Sequence, residues 1–109
     1  HAFALLREHG IRNAFLPPTA LKLMRQSSET AQLRSVGSAG EALGTDLTEW
    51  GRGALGTTIN EFYGQTECNA ILGNSHTLFA PRPGSTGKAV PGHEVAILGT
   101  QGETLPPGS

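Results

Sequence analysis

The sequence predicts an α/β fold: a partial parallel sheet with flanking helices, followed by an antiparallel β segment. Three observations predict it. Residues 1–73 alternate helical apolar faces with short apolar runs, the pattern of βαβ units. Residues 84–105 change to turn-rich text around short β-like runs. Gly 15 is roughly double the usual ~7% share, so many tight loops are expected. The expected division is residues 1–73 as the α/β part, 74–83 as a connector and 84–109 as the antiparallel segment.

The elements follow in order. Ala2, Phe3, Leu5 and Leu6 form one helical face over residues 1–9, with Gly10 as the stop. Asn13-Ala14-Phe15-Leu16 is a short apolar strand ended by Pro17-Pro18. Thr19 can cap a second helix through Arg25, with Leu21, Leu23 and Met24 as its apolar surface. Gln26 to Thr30 is polar loop. Leu33 to Gly37 reads as a strand entering the small-residue loop Ser38-Ala39-Gly40-Glu41. Asp46 and Glu49 resemble a capping box, and Leu47, Trp50 and Ala54 share one helical face, with Trp50 as a core anchor. Thr57 to Phe62 is the next strand, and it delivers Tyr63 to Glu67 as a loop. Glu94 to Leu98 is a strand, and Gly99 to Gly102 turns the chain into Glu103-Thr104-Leu105.

Composition narrows the function. Net charge is −1, without a basic stripe for nucleic acid or a block of like charge. The lone Cys68 excludes an internal disulfide and fits a reducing compartment, so a cytoplasmic protein is expected. No run approaches the ~20 apolar residues that span a bilayer. The chain starts at His1 without methionine and ends on Pro106-Pro107-Gly108-Ser109, and it is expected to be a fragment.

The chemistry concentrates in Asn60-Glu61-Phe62-Tyr63-Gly64-Gln65-Thr66-Glu67. It offers a ring for a base, a hydroxyl for a phosphate and a carboxylate for magnesium. Ligands of open α/β sheets bind outside the carboxyl ends of the strands. Two loops sit there, Ser38 to Ala42 and Tyr63 to Glu67, and adjacent strands would bring them together. Each residue also has a plainer reading. Tyr63 alone is an edge-of-core aromatic, and Thr66 alone is a helix cap. A helix starting at Thr66-Glu67 would itself suit a phosphate. Glu67 is the hard oxygen donor that Mg²⁺ takes alongside substrate phosphates. His9, His76 and His93 lack metal-ligand spacing. Gly84-Ser85-Thr86-Gly87-Lys88 lacks the spacing of a phosphate loop and reads as a turn.

Tyr63-Gly64-Gln65-Thr66-Glu67 resembles the Y-G-x-T-E motif of the adenylate-forming superfamily of acyl-CoA synthetases, adenylation domains and luciferase-like ligases. Phe15-Leu16-Pro17-Pro18-Thr19 is similar to that family's strand-to-helix step. Ala39-Gly40-Glu41-Ala42-Leu43 resembles its S-G-G-E-P-L loop, with alanines in place of a glycine and the proline. Arg82 to Lys88 and Val90 to Val95 resemble its R-P-G-S-x-G and P-G-x-E-V segments. Gln65 and Asn69 are most similar to bacterial acyl-CoA synthetases of the acetyl/medium-chain type. The resemblance places the chain in the large N-terminal domain.

The resemblance implies ATP-driven conversion of a carboxylic acid to an acyl-adenylate, then transfer to coenzyme A. It implies a nucleotide site of Gly40, Glu41, Ala42, Glu61, Phe62, Tyr63, Gly64, Gln65 and Thr66. Tyr63 would stack on adenine, Thr66 would meet the α-phosphate, and Glu67 would hold Mg²⁺, with Thr66 and Glu67 the catalytic pair. Acetate-specific members carry tryptophan where Gly64 stands, which closes their acyl pocket; the resemblance implies that Gly64 borders that pocket and leaves it open, so an acid longer than acetate is expected. The family's upstream phosphate loop, its ribose-binding aspartate and its C-terminal-domain lysine are not in this sequence, so these 109 residues alone should not catalyse adenylation. Open strand edges should make the fragment self-associate. Two alternatives stand beside this: an adenylation enzyme loading a carrier protein, and a non-catalytic nucleotide-binding module.

Overall fold

The computed structural model describes residues 1–108. The order is α1 (Ala2–Glu8), β1 (Asn13–Phe15), α2 (Pro18–Arg25), β2 (Ser35–Ser38), α3 (Thr45–Ala54), β3 (Ile59–Gln65), β4 (Asn69–Gly73), β5 (Lys88–Ala89), β6 (Ile97–Leu98) and β7 (Thr104–Leu105). Strands β1 to β5 form one sheet in sequence order, and β6–β7 form a separate pair. Pairing is parallel for β1–β2 and β2–β3, then antiparallel for β3–β4 and β4–β5. The mixed α/β class expected from the sequence is what the chain adopts.

The parallel strands alternate sides, and the alternation decides the core. Ala14, Val36 and Ile59 lie in register across β1, β2 and β3 and face the helices. Phe3, Leu21, Met24 and Leu47 from the three helices pack with them, and Leu33, Leu43 and Leu55 complete the cluster. The other row is Phe15, Gly37 and Asn60. Here the Phe15 and Phe62 rings meet with centroids 5.6 Å apart, and Phe15 is 60% exposed. A Cβ at Gly37 would sit 3.2 Å from the Phe62 ring. One sheet face is therefore helix-covered, and the other carries an open aromatic pair.

Local chemistry explains the helix ends. Gly10 takes φ 58, its N–H donates to the Arg7 carbonyl, and the Ile11 N–H donates to Leu6. That is the Schellman closure, and glycine pays no steric penalty for it. Helix α2 starts on Pro18, preceded by extended Pro17. Proline at the first position needs no donor and presets φ. Thr19 is therefore inside the helix, not its cap as the sequence suggested. Helix α3 is likewise entered through Gly44 at φ 80 with no side-chain cap, so the expected Asp46–Glu49 capping box does not form. Asp46 instead pairs with Arg25 at 2.6 Å, tying α3 to α2. Gly51 lets α3 lie close on β3, since a Cβ there would fall 2.6 Å from Ile59 Cδ1. Trp50 is half-buried at the edge of the core.

Strand boundaries differ from the sequence reading at several points, three of which matter for the site and its surroundings. Leu33 is not in β2; its N–H donates to the Leu55 carbonyl, docking the segment onto the end of α3. Strand β3 runs on through Tyr63, Gly64 and Gln65, because β4 pairs with it: Tyr63 opposes Leu72 and Gln65 opposes Asn69. Only Thr66 to Cys68 turn, so no helix begins at Thr66. Strand β6 is Ile97–Leu98 alone, without Glu94 to Ala96. Those three residues are exposed, and β7 offers only Thr104 and Leu105 as partners. Turn Gly99 to Gly102 closes on the Gly99 N–H to Glu103 carbonyl bond. The radius of gyration, 15.8 Å, exceeds the roughly 13 Å of a compact domain this size, and the longest extent is 52 Å.

Candidate functional site

The Ser38–Ala42 loop leaves the carboxyl end of β2, and β3 is the neighbouring strand. Their register sets Ser38 beside Glu61. The Ser38–Ala42 loop therefore meets β3 at Glu61, not at the expected Tyr63–Glu67 loop, whose first three residues instead continue the strand. The Glu61 carboxylate accepts the Leu43 N–H at 3.2 Å. The Glu41 carboxylate accepts the Thr19 hydroxyl at 2.7 Å. The loop is thus fastened to β3 at its base and to α2 at its rim. Between the fastenings Gly40, at φ 96, and its neighbours Glu41 and Ala42 are exposed. Ser38 below them is fully buried, and its Oγ has no hydrogen-bond partner.

Strand β3 divides the remaining candidates. Phe62 points to the open aromatic face, against Phe15, away from the helix-covered side that holds Ile59. Tyr63 is 42% exposed, so its ring can receive a flat partner. Gly64 sits at a break in the β3–β4 register. A Cβ there would run into the Asn69 carbonyl oxygen and lie 2.7 Å from Ala70 Cα. In this backbone a side chain at position 64 is accommodated only if β3 and β4 shift apart. Gln65 is exposed in the last pair of the hairpin, and Thr66 and Glu67 are exposed at its tip. Asn69 adopts φ 61, and its side-chain oxygen accepts the Ala70 N–H, which closes the turn.

Distance along β3 orders the site. Thr66 is five residues past Glu61, about 16 Å at the ~3.3 Å rise of a strand. Among the described residues no three His, Cys, Asp or Glu side chains gather as a metal cage. Glu67 is a single exposed carboxylate, which fits an ion held jointly with ligand phosphates and not one held by protein alone. Two carboxyls elsewhere are held below their ordinary values: Asp46 by its hydrogen bond to Arg25, and Glu29 by its hydrogen bond to Arg7.

Sequence reasoning missed three contributors. Thr19 was assigned to a cap, although the same Pro17-Pro18-Thr19 step places it against Glu41. Asn74, after β4, donates from Nδ2 to the Glu61 and Ser85 carbonyls. Asn60 accepts the His76 N–H at 2.9 Å through its side-chain oxygen. Only the Thr19 step carried a local signal; the two asparagines act across 11 to 16 positions. A cleft of about 100 Å³ opens between α3 and the turn at 81–85, with Leu43, Glu61 and Asn74 in its lining.

Comparison with known proteins converges on one group. The family model "AMP-binding enzyme" matches residues 1–109. The chain is 33% identical over 112 residues to the human mitochondrial acyl-CoA synthetase short-chain family member 3, covering 88% of this chain and 16% of that protein. It superposes on the Brucella canis acyl-CoA synthetase with a TM-score of 0.88 at 33% identity, covering 98% of this chain and 21% of the other. The anthranilate CoA ligase AuaEII, solved with anthranoyl-AMP, matches with a TM-score of 0.84 at 27% identity over 96% of this chain and 21% of the other. The chain therefore spans about one-sixth of the length of the curated relative. No helix among the described residues is long and apolar enough to cross a membrane. With its matching motifs, sheet and strand-end loops, the chain belongs to the AMP-binding, adenylate-forming enzyme family.

Proposed function

We propose that these residues are part of an ATP-dependent acid–thiol ligase. The full-length protein activates a carboxylic acid as its acyl-adenylate and passes the acyl group to coenzyme A. The observation that carries this reading is the β2–β3 pairing. It sets an exposed backbone loop at Gly40–Ala42 beside the strand that carries Tyr63 and leads into the Thr66–Glu67 turn. Acyl-CoA synthetases and CoA ligases among the relatives support the reaction class.

In this reading the nucleotide lies along the end of β3. The loop backbone and Tyr63 take the adenine end, Gly64 leaves the acyl pocket open, Gln65 pairs with Asn69 at the end of the hairpin, and Thr66 donates its hydroxyl to the α-phosphate. Glu67 holds Mg²⁺, which neutralises phosphate charge when bound. The chain's own contribution is positioning, with donors already in place where charge develops. Phe62 supports the strand from its other face, against Phe15. The acid is longer than acetate, the working compartment is the cytoplasm, and the isolated segment is inactive and self-associates through its open faces. The division at 74–83 belongs to the same reading.

Acid-dependent exchange of labelled pyrophosphate into ATP by the full-length protein tests it, run over acids from acetate to medium-chain and aryl. Exchange with the longer acids and coenzyme A thioester as the final product is the expected result. No exchange with any acid removes the ligase reading, and a sharp acetate optimum removes the substrate-length claim. Sedimentation of the 109 residues as a clean monomer removes the self-association claim.

A further inference from the structure

Asn74 directly follows β4, where the chain leaves the sheet. Its backbone N–H donates to the Glu61 carbonyl at 3.0 Å. Its Nδ2 donates to that same carbonyl at 3.1 Å and to the Ser85 carbonyl at 2.8 Å. Three hydrogen bonds from one residue thus join three segments: β3, the end of β4 and the 82–87 turn. The turn is pressed against the same place from the other side. Gly87, at φ 100, leaves no room for a Cβ before the Gly73 carbonyl. The Asn74 side-chain oxygen is buried and has no partner. A buried unpaired acceptor is destabilising. The donors hold this residue in place, at the acceptor's expense.

What the clamp holds is the Glu61 peptide, and the Glu61 carboxylate holds the Leu43 N–H at the base of the Gly40–Ala42 loop. We propose that Asn74 is a positioning residue: it pins Glu61 to the Ser85 turn, so that Glu61 sets the backbone of the Gly40–Ala42 loop. Asn74 reaches the loop only through Glu61. The link to nucleotide binding rests on the ligase reading above; the clamp itself rests on the hydrogen bonds alone.

The test uses the full-length protein that carries these residues. Asn74→Asp keeps the shape and removes both side-chain donors; Asn74→Ser is the second variant, in case the new carboxylate disturbs folding. Hydrogen exchange is followed in peptides covering 39–44 and, as a control, 45–55 in α3. The expected result is exchange at 39–44 faster by about 10-fold, the upper end of what a lost neutral hydrogen bond contributes, with 45–55 unchanged. KM for ATP rises by a similar factor, while kcat stays within about 3-fold, as removal of uniform binding requires. In a Glu61→Ala background, Asn74→Asp should add less than about 2-fold at 39–44, because the two act in series.

Unchanged exchange at 39–44, equal acceleration at 45–55, or a full effect retained in Glu61→Ala each overturns the proposal. Failure of both variants to fold also overturns it, since the residue would then serve global stability. The exchange readout does not depend on catalysis. Accelerated exchange in a protein that forms no acyl-adenylate sinks the ligase reading and leaves the clamp standing. Unchanged exchange in an active ligase does the reverse.

Discussion

Replacing Gly64 by alanine puts one methyl group where two backbones meet. The added Cβ would lie 2.7 Å from Ala70 Cα and closer still to the Asn69 carbonyl oxygen. Ordinary contact starts near 3.4 Å, so β4 must retreat by about 0.7 Å at Ala70. Neither obstacle is a flexible side chain, so nothing can rotate aside. A ladder bond of about 2.9 Å stretched that far leaves bonding distance. The pairs Gly64–Ala70 and Gln65–Asn69 hold the Thr66–Glu67 tip, so they are the first lost. Overpacking of this kind costs about 1–3 kcal/mol. At about 4–8 °C per kcal/mol for a domain near this size, Tm falls by roughly 5–20 °C. Thermal unfolding followed by circular dichroism measures it, with Gly53→Ala as control. Gly53 is inside α3, and a Cβ there meets nothing within 4 Å, so that variant should hold or gain stability. An unchanged Tm for Gly64→Ala refutes the backbone argument. If acid preference then narrows at unchanged Tm, the residue serves the acyl pocket alone.

Three further outcomes are expected. Leu47→Ala empties a fully buried site between α3 and the sheet and should cost about 2–5 kcal/mol in urea unfolding; a loss under about 1 kcal/mol would mean α3 does not seal the core. Asp46 has its carboxyl held below the ordinary 3.8 by Arg25, so its contribution is present above that value and lost as pH falls through the lower folded one. Arg25→Gln should therefore flatten the acid limb of the stability curve below about pH 4, and an unaltered limb would contradict the pairing. Glu67→Gln in the full-length protein should cut adenylation by about 10²–10³-fold with Tm unchanged, since the side chain is exposed; a small effect would remove Glu67 from the metal role.

Much of the fold was legible because local chemistry and global packing agree. The apolar spacing of Phe3, Leu21, Met24 and Leu47 marks the helix faces that do fill the core. The candidate site was proposed from residue types, since Tyr63, Thr66 and Glu67 carry their chemistry wherever the chain puts them. Strand β4 was missed because Asn69 to Gly73 is short and shows no clear alternation. Its pairing with β3 turned an expected loop into a hairpin. Caps failed for a related reason. Thr19 and Asp46 are good capping residues in isolation, yet each found a stronger partner 21 or 22 positions away.

The sequence by itself determined the class, the motif order and the inventory of reactive groups, because periodicity and residue chemistry are local properties. Only the tertiary structure decided how they are used. Register placed Ser38 beside Glu61, and that pairing made the Glu61 carboxylate an anchor for Leu43. Close approach of β3 and β4 left no room for a side chain at Gly64 without a shift of the hairpin. Asn74 acquired its clamp from carbonyls 11 and 13 residues distant. Hydrogen-bond geometry and steric exclusion act over a few ångströms, and which groups come that near is settled only when distant segments pack.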